Sequence, residues 1–321
     1  MVPIASLTSS VPAWVGLISA IVILLALDLK FMSGRDGKMT NAFAAKASVF
    51  WIGLAFVFAG VLWVTSSPSD ASSYVAGYLV EKSLSLDNVF VFLLLLNAFA
   101  IAAEDRHRLL TYGIVGALVL RGVFIVVGAA ALSAFWWVNL IFAALLIWTG
   151  WRLWQHRHDH EGEEQMVAGI KERLPIAEED HGERFISREN GKRVLTVSGA
   201  ALAGLILVDI LFAIDSVPAI LAITDDAYIV FAANAFALMG LRPLFFLVAD
   251  LVDRLYYLKA ALAVLLVVIG AKMAATHWVG KIGPEITLPA IGLVLGTGVV
   301  ASLIRNRRGG GDGGEPAAAS A

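Results

Sequence analysis

Two short stretches concentrate the residues able to do chemistry. Glu81-Lys-Ser-Leu-Ser-Leu-Asp87-Asn88-Val89 and Asp209-Ile-Leu-Phe-Ala-Ile-Asp215-Ser216-Val217-Pro218 both read acid, five residues, acid, small amide or hydroxyl, valine. Both lie inside long apolar runs, where an ionised carboxylate costs on the order of several kcal/mol unless it is paired or coordinated. The cations in the same runs are Lys82, Arg121 in V-L-R-G-V-F and Arg242 in G-L-R-P-L-F. Four acids against three cations leave a formal charge of −1, or −2 if Asp28, at the end of the first apolar run, reaches the same cavity. A divalent cation would neutralise that remainder, and protons could do so when the metal leaves.

The donors are carboxylate, amide and hydroxyl oxygens, with no histidine in the apolar runs and no cysteine in the 321 residues. Thiolate metal sites and disulfides are therefore excluded. Hard oxygen donors suit Mn²⁺, Mg²⁺ or Ca²⁺ better than Zn²⁺ or Cu⁺. The candidate metal ligands are Glu81, Asp87, Asn88, Asp209, Asp215 and Ser216, with Asp28, Lys82, Ser85, Arg121 and Arg242 as accessories. A plainer role competes for some of these. Buried arginine–acid pairs can simply lock helices together, which is the expected role of Arg121 and Arg242. Asp28 could snorkel to the interface, and Asn97 and Asn234 read as hydrogen-bond glue between helices.

Spacing constrains the geometry. At about 100° per residue, positions i and i+6 diverge by roughly 120°, whereas i and i+7 nearly align. Glu81, Ser85 and Asn88 should share one face and Asp209 and Ser216 another, leaving Asp87 and Asp215 aside. For both acids of a motif to meet one ion the helix must unwind locally; otherwise each acid serves a different partner. Ser83, Ser85, Asn88 and Pro218 would permit unwinding.

The elements that carry these residues are membrane spans. The chain is 59% hydrophobic and only 16% charged, with a mean hydropathy of +0.80. About 20 apolar residues suffice to cross a bilayer as helix. Nine runs qualify, near 11–31, 45–65, 74–100, 109–132, 136–154, 196–221, 227–249, 256–276 and 286–304. Lysine and arginine concentrate in alternate loops, which predicts an all-α polytopic bundle with the N-terminus outside and the C-terminus inside. The first run is followed, not preceded, by positive charge, so it reads as a retained helix and not as a cleaved signal. The Gly/Ala-rich stretch 309–321 reads as a disordered tail; its G-x-G-D pattern lies outside any span and carries no protease chemistry.

The two motifs head a repeat. Each is followed by a span with one arginine, Arg121 or Arg242, and then by a span closing on Gly150-Trp-Arg152 or Gly270-Ala-Lys272. The units cover 74–154 and 196–276. Each has three spans, an odd number, so the second should run inverted relative to the first, the plan of many secondary transporters with a midplane site. Between them, 155–195 holds His156, His158 and His160 beside acids. It reads as a solvated cytoplasmic loop, with metal collection as the sharper alternative.

E-K-S-L-S-L-D-N paired with D-I-L-F-A-I-D-S-V-P resembles the signature of the TerC family, which includes the Alx proteins. The resemblance runs from about Asp28 to Arg305. It implies a bacterial cytoplasmic membrane protein that exports manganese, with Glu81, Asp87, Asp209 and Asp215 as site acids and Asn88 and Ser216 from the same motifs. The expectation is a secondary transporter of Mn²⁺, exchanging it for protons by alternating access, with no prosthetic group and no nucleic-acid partner. A scaffold or stress-response component without transport is the rival. An intramembrane hydrolase would need a nucleophile or an in-span G-x-G-D acid, and the sequence has neither, so no enzymatic activity is expected.

Overall fold

The computed structural model describes residues 10–32, 41–156, 161–174, 185–189, 192–251, 256–280 and 282–309. The tail beyond 309, His158 and His160 lie outside them. The described chain is helical apart from one hairpin. Its elements are α1 (Val11–Met32), α2 (Asn41–Thr65), α3 (Pro68–Ala98), α4 (Ala103–Ala134), α5 (Trp136–Gln155), α6 (Glu161–Arg173), β1 (Ile186–Glu189), β2 (Lys192–Leu195), α7 (Val197–Leu221), α8 (Ala227–Met239), α9 (Leu241–Leu251), α10 (Leu258–Val279) and α11 (Pro284–Gly309).

Seven of these helices, α1, α2, α4, α5, α7, α10 and α11, are long and apolar enough to cross a membrane; α8 and α9 together make an eighth candidate. Large apolar side chains such as Val15, Phe56, Val64, Val123 and Trp151 stay exposed on them. In water such a surface would be an aggregation liability, whereas lipid tails solvate it. The chain is a multi-pass membrane protein. The ninth expected span corresponds to α3, which begins at Pro68, six residues earlier than the apolar run, and which Glu81, Lys82 and Asp87 make too polar to rank with the others. At 31 residues it is about 46 Å long, more than the roughly 30 Å of hydrocarbon.

Local chemistry sets the helix ends. Ser67 caps α3, its Oγ accepting from the Asp70 amide at 3.0 Å, with Pro68 supplying the first-turn φ. Thr196 caps α7 through the Gly199 amide at 3.0 Å. Asp226 caps α8 through the Tyr228 amide at 2.9 Å.

Of the two alternatives for the motifs, local unwinding does not occur. Helices α3 and α7 run unbroken through them, Pro218 included. Pro218 falls only three residues before the last residue of α7, so little ladder remains beyond it to disturb. The break comes one span later: α8 and α9 meet at Gly240 with a bend of 41°. Pro243 follows closely and cannot donate to the ladder.

Helix α4 packs along α7 while α8 packs along α3, and α5 packs along α10. The last pair is reciprocal. A Cβ on Gly150 would lie 2.7 Å from the Ala263 carbonyl, and one on Gly270 would lie 2.9 Å from the Ala143 carbonyl. Both correspondences span 120 positions (150 to 270, 143 to 263), so the two helices cross antiparallel with glycine at each close approach.

The segment expected as a plain loop, 155–195, contains structure. Val167 on α6 is 3% exposed and, with Met166 and Ile170, packs on the main apolar core. Glu163 accepts from Lys259 of α10 at 2.6 Å, and Lys171 donates to the carbonyl of Ala98 at the end of α3. The hairpin pairs Ile186 with Leu195 antiparallel.

Candidate functional site

The first acids of the two motifs meet. Glu81 on α3 and Asp209 on α7 both accept from Arg121 on α4, and all three are almost wholly buried. Arg121 Nε lies 3.2 Å from each Asp209 carboxylate oxygen, and Nη2 is 2.8 Å from Oδ1. Nη1 donates to Glu81 Oε1 and, at 3.3 Å, to Ser216 Oγ. Asp209 and Ser216 thus reach one guanidinium from α7, as their i, i+7 alignment requires. The planar fork of arginine suits this convergence on three acceptor side chains.

The cluster leaves acceptors over. Glu81 Oε2 and Ser85 Oγ are buried and have no hydrogen-bond partner. They lie one turn apart on α3, and Asn88, 6% exposed, comes within another turn. Buried polar atoms without partners are few in folded proteins, and each calls for an explanation.

The second acid of the second motif goes elsewhere. Asp215 is half-buried and points to α5, where Thr149 donates to its Oδ1 at 2.9 Å and Arg152 is close enough to act on it electrostatically. The two acids of the second motif therefore serve different partners. The side chain of Asp87 lies outside the described residues. Among the described residues, no three acidic or histidine side chains are grouped to hold a metal. Of the expected ligands with described side chains, Glu81, Asp209 and Ser216 share Arg121, and Asp215 stands apart on Thr149.

The accessory cations separate likewise. Arg242, on α9 just past the break, pairs with Asp28 of α1 at 2.7 Å, while its Nε and Nη2 find no partner. Asp28 is 8% exposed and does not snorkel to an interface. Lys82 donates to the Ala237 carbonyl at 3.1 Å, in the last turn of α8. It passes so close to Gly240 that a Cβ there would sit 2.7 Å from its Nζ. Here the ammonium caps a helix end whose carbonyls would otherwise be orphaned. The sequence did not assign this role; Gly240 beside Leu-Arg-Pro is the signal that could have suggested it. The two asparagines expected as glue do not serve as such: Asn97 is exposed, and the Asn234 amide is buried with no partner.

A cavity of about 600 Å³ opens at one end of the bundle, lined among others by Asp70, Ser73, Asn139, Asp225, Lys272 and Thr276. Ser73 precedes Glu81 by eight residues on α3, about 12 Å along the axis. Between them Ala76 and Val80 join Ala219, Leu266 and Ile269 in an apolar cluster. At the opposite end of α3, α6 lies across the bundle. The two acids of the central cluster are buried, Glu81 at 0% and Asp209 at 2% exposure.

Comparison with known proteins adds to this geometry. The family model described as "Integral membrane protein TerC family" matches residues 66–309. The chain is 39% identical over 296 residues to "Uncharacterized membrane protein STKORF319" of Myxococcus xanthus, covering 92% of each chain. It is 38% identical over 273 residues to the Escherichia coli K12 protein named "Putative membrane-bound redox modulator Alx", covering 81% of this chain and 84% of that one. An "Uncharacterized membrane protein" of Rickettsia felis is 33% identical over 295 residues, 91% of this chain and 98% of its own. No solved structure matches.

Proposed function

The chain belongs to the integral membrane protein TerC family, and from that premise we propose that it is a secondary transporter exporting a divalent metal cation, Mn²⁺, from the cytoplasm in exchange for protons. The observation that carries this reading is the meeting of Glu81 and Asp209 in one dry cluster with two acceptors, Glu81 Oε2 and Ser85 Oγ, left over. All the oxygens on offer are hard donors. Manganese itself is chosen by the family resemblance; the donor chemistry supports the hard divalent class.

The reciprocal packing of α5 on α10 and the exchange of partners between α4·α7 and α8·α3 support an inverted repeat, with the cluster at the interface of its halves. In this reading the N-terminus is outside, the protein sits in a bacterial cytoplasmic membrane, and the 600 Å³ cavity is the outer vestibule. The account needs no prosthetic group and no enzymatic step.

One observation favours a rival, a membrane scaffold or stress-response component: Arg121 bridges both acids internally, as a helix lock would. Relatives carry the name redox modulator; with no cysteine in this chain, thiol–disulfide exchange by its own residues is not such a role. The two readings part in cells loaded with Mn²⁺. Transport predicts that Glu81→Gln and Asp209→Asn retain Mn²⁺ while the protein stays folded in the membrane. Normal Mn²⁺ release from both variants would refute the site assignment. Loss of the protein itself would favour the scaffold.

A further inference from the structure

We propose that Arg121 is the tethered counter-ion of the empty carrier: it occupies the two motif acids when cargo is absent and yields them when cargo binds. This rests on the transport reading above. Three observations lead to it. First, Arg121 takes both oxygens of Asp209 and one of Glu81. A divalent cation that reaches Asp209 must use oxygens the guanidinium holds, so the two compete for that acid. Second, the guanidinium cannot lose its proton in a protein. Its charge is permanent, and only its position can change.

Third, the cluster offers an entry step. Glu81 Oε2 and Ser85 Oγ are fully buried and unpartnered on the same face of α3. A cation engages these first while Arg121 still holds Oε1 and Asp209, and then displaces the guanidinium from the rest. A pair locked only for stability has no reason to leave a carboxylate oxygen and a hydroxyl bare in a dry core.

The consequence concerns the return step. A carrier that has released its metal must reorient with two carboxylates in a water-free core, and bare acids there are prohibitively unfavourable. Arg121 neutralises one of the two charges and the exchanged proton the other, which together let the metal-free form reorient. The loaded form needs neither, because the metal does the same work. Net export requires the empty return, whereas exchange of Mn²⁺ for Mn²⁺ across the membrane uses loaded forms only.

The test compares these two fluxes in proteoliposomes for wild type, Arg121→Gln and Arg121→Lys. One assay follows net Mn²⁺ movement into metal-free vesicles; the other follows labelled Mn²⁺ exchanging with Mn²⁺ inside. The ratio of net flux to exchange is expected to fall at least about tenfold in Arg121→Gln and to recover to within about threefold of wild type in Arg121→Lys, which keeps the charge. An unchanged ratio in Arg121→Gln overturns the inference and leaves transport standing. Loss of exchange together with net flux in Arg121→Gln, whatever Arg121→Lys does, also overturns it, since the loaded form would then need the guanidinium. Absence of both fluxes in wild type overturns the transport reading and this inference with it.

Discussion

Arg121 and Arg242 stand in matching places, each in the span that follows a motif, yet the structure uses them differently. Arg121 lies inside an unbroken α4 and binds both motif acids and Ser216. Arg242 lies at a break and, among the described residues, binds only Asp28 and keeps two donor nitrogens bare. The residue after each arginine separates them: Gly122 lets α4 continue, whereas Pro243 interrupts the ladder and, with Gly240, turns the chain. The two arginines thus belong to one three-residue acid cluster and one separate buried pair. Arg242 instead holds an acid from α1.

This contrast is open to attack through stability. Arg242 has a single carboxylate partner, so Asp28→Ala leaves a buried charge uncompensated and is expected to cost about 3–5 kcal/mol. Asp209→Asn leaves Arg121 with Glu81 and is expected to cost about 1.5–3 kcal/mol, the loss of charge-assisted hydrogen bonds alone. Thermal unfolding in detergent compares them. Equal losses would mean that the two arginines are equally dependent on one acid, and the contrast would collapse.

A smaller effect sharpens the comparison where the halves remain alike. Gly150→Ala and Gly270→Ala each place a methyl against a backbone carbonyl of the other helix. Each should cost about 1–3 kcal/mol, and the two costs should match within a few tenths. A large difference between them would show that α5 and α10 do not pack as equivalents.

Much of this was legible in the sequence, for identifiable reasons. The apolar runs located the spans to within a few residues because a bilayer leaves helices little choice. The i, i+7 argument correctly grouped Asp209 with Ser216 and set Asp215 aside. The sequence could not tell which arginine would hold the acids, because that depends on how α4 and α9 are aimed. The sequence permits unwinding at the motifs, whereas the break lies at Gly240, where G-L-R-P carries the stronger combination of signals. Helix α6 was missed because histidines and acids dominate its flanks. Its Met166, Val167 and Ile170 nevertheless fall at helical spacing and form the face that docks. The hairpin was missed too, although Asn190-Gly191 between its strands is a turn signal.

The central claim, that this protein moves Mn²⁺ through the acid cluster, is tested most directly by uptake of Mn²⁺ into proteoliposomes of the purified chain, with Ca²⁺, Mg²⁺ and Zn²⁺ as competitors and a pH gradient imposed. The account predicts saturable Mn²⁺ uptake that an opposing proton gradient accelerates, that Zn²⁺ competes for weakly, and that Glu81→Gln abolishes. Uptake no faster than in protein-free vesicles, or full uptake by Glu81→Gln, would contradict it.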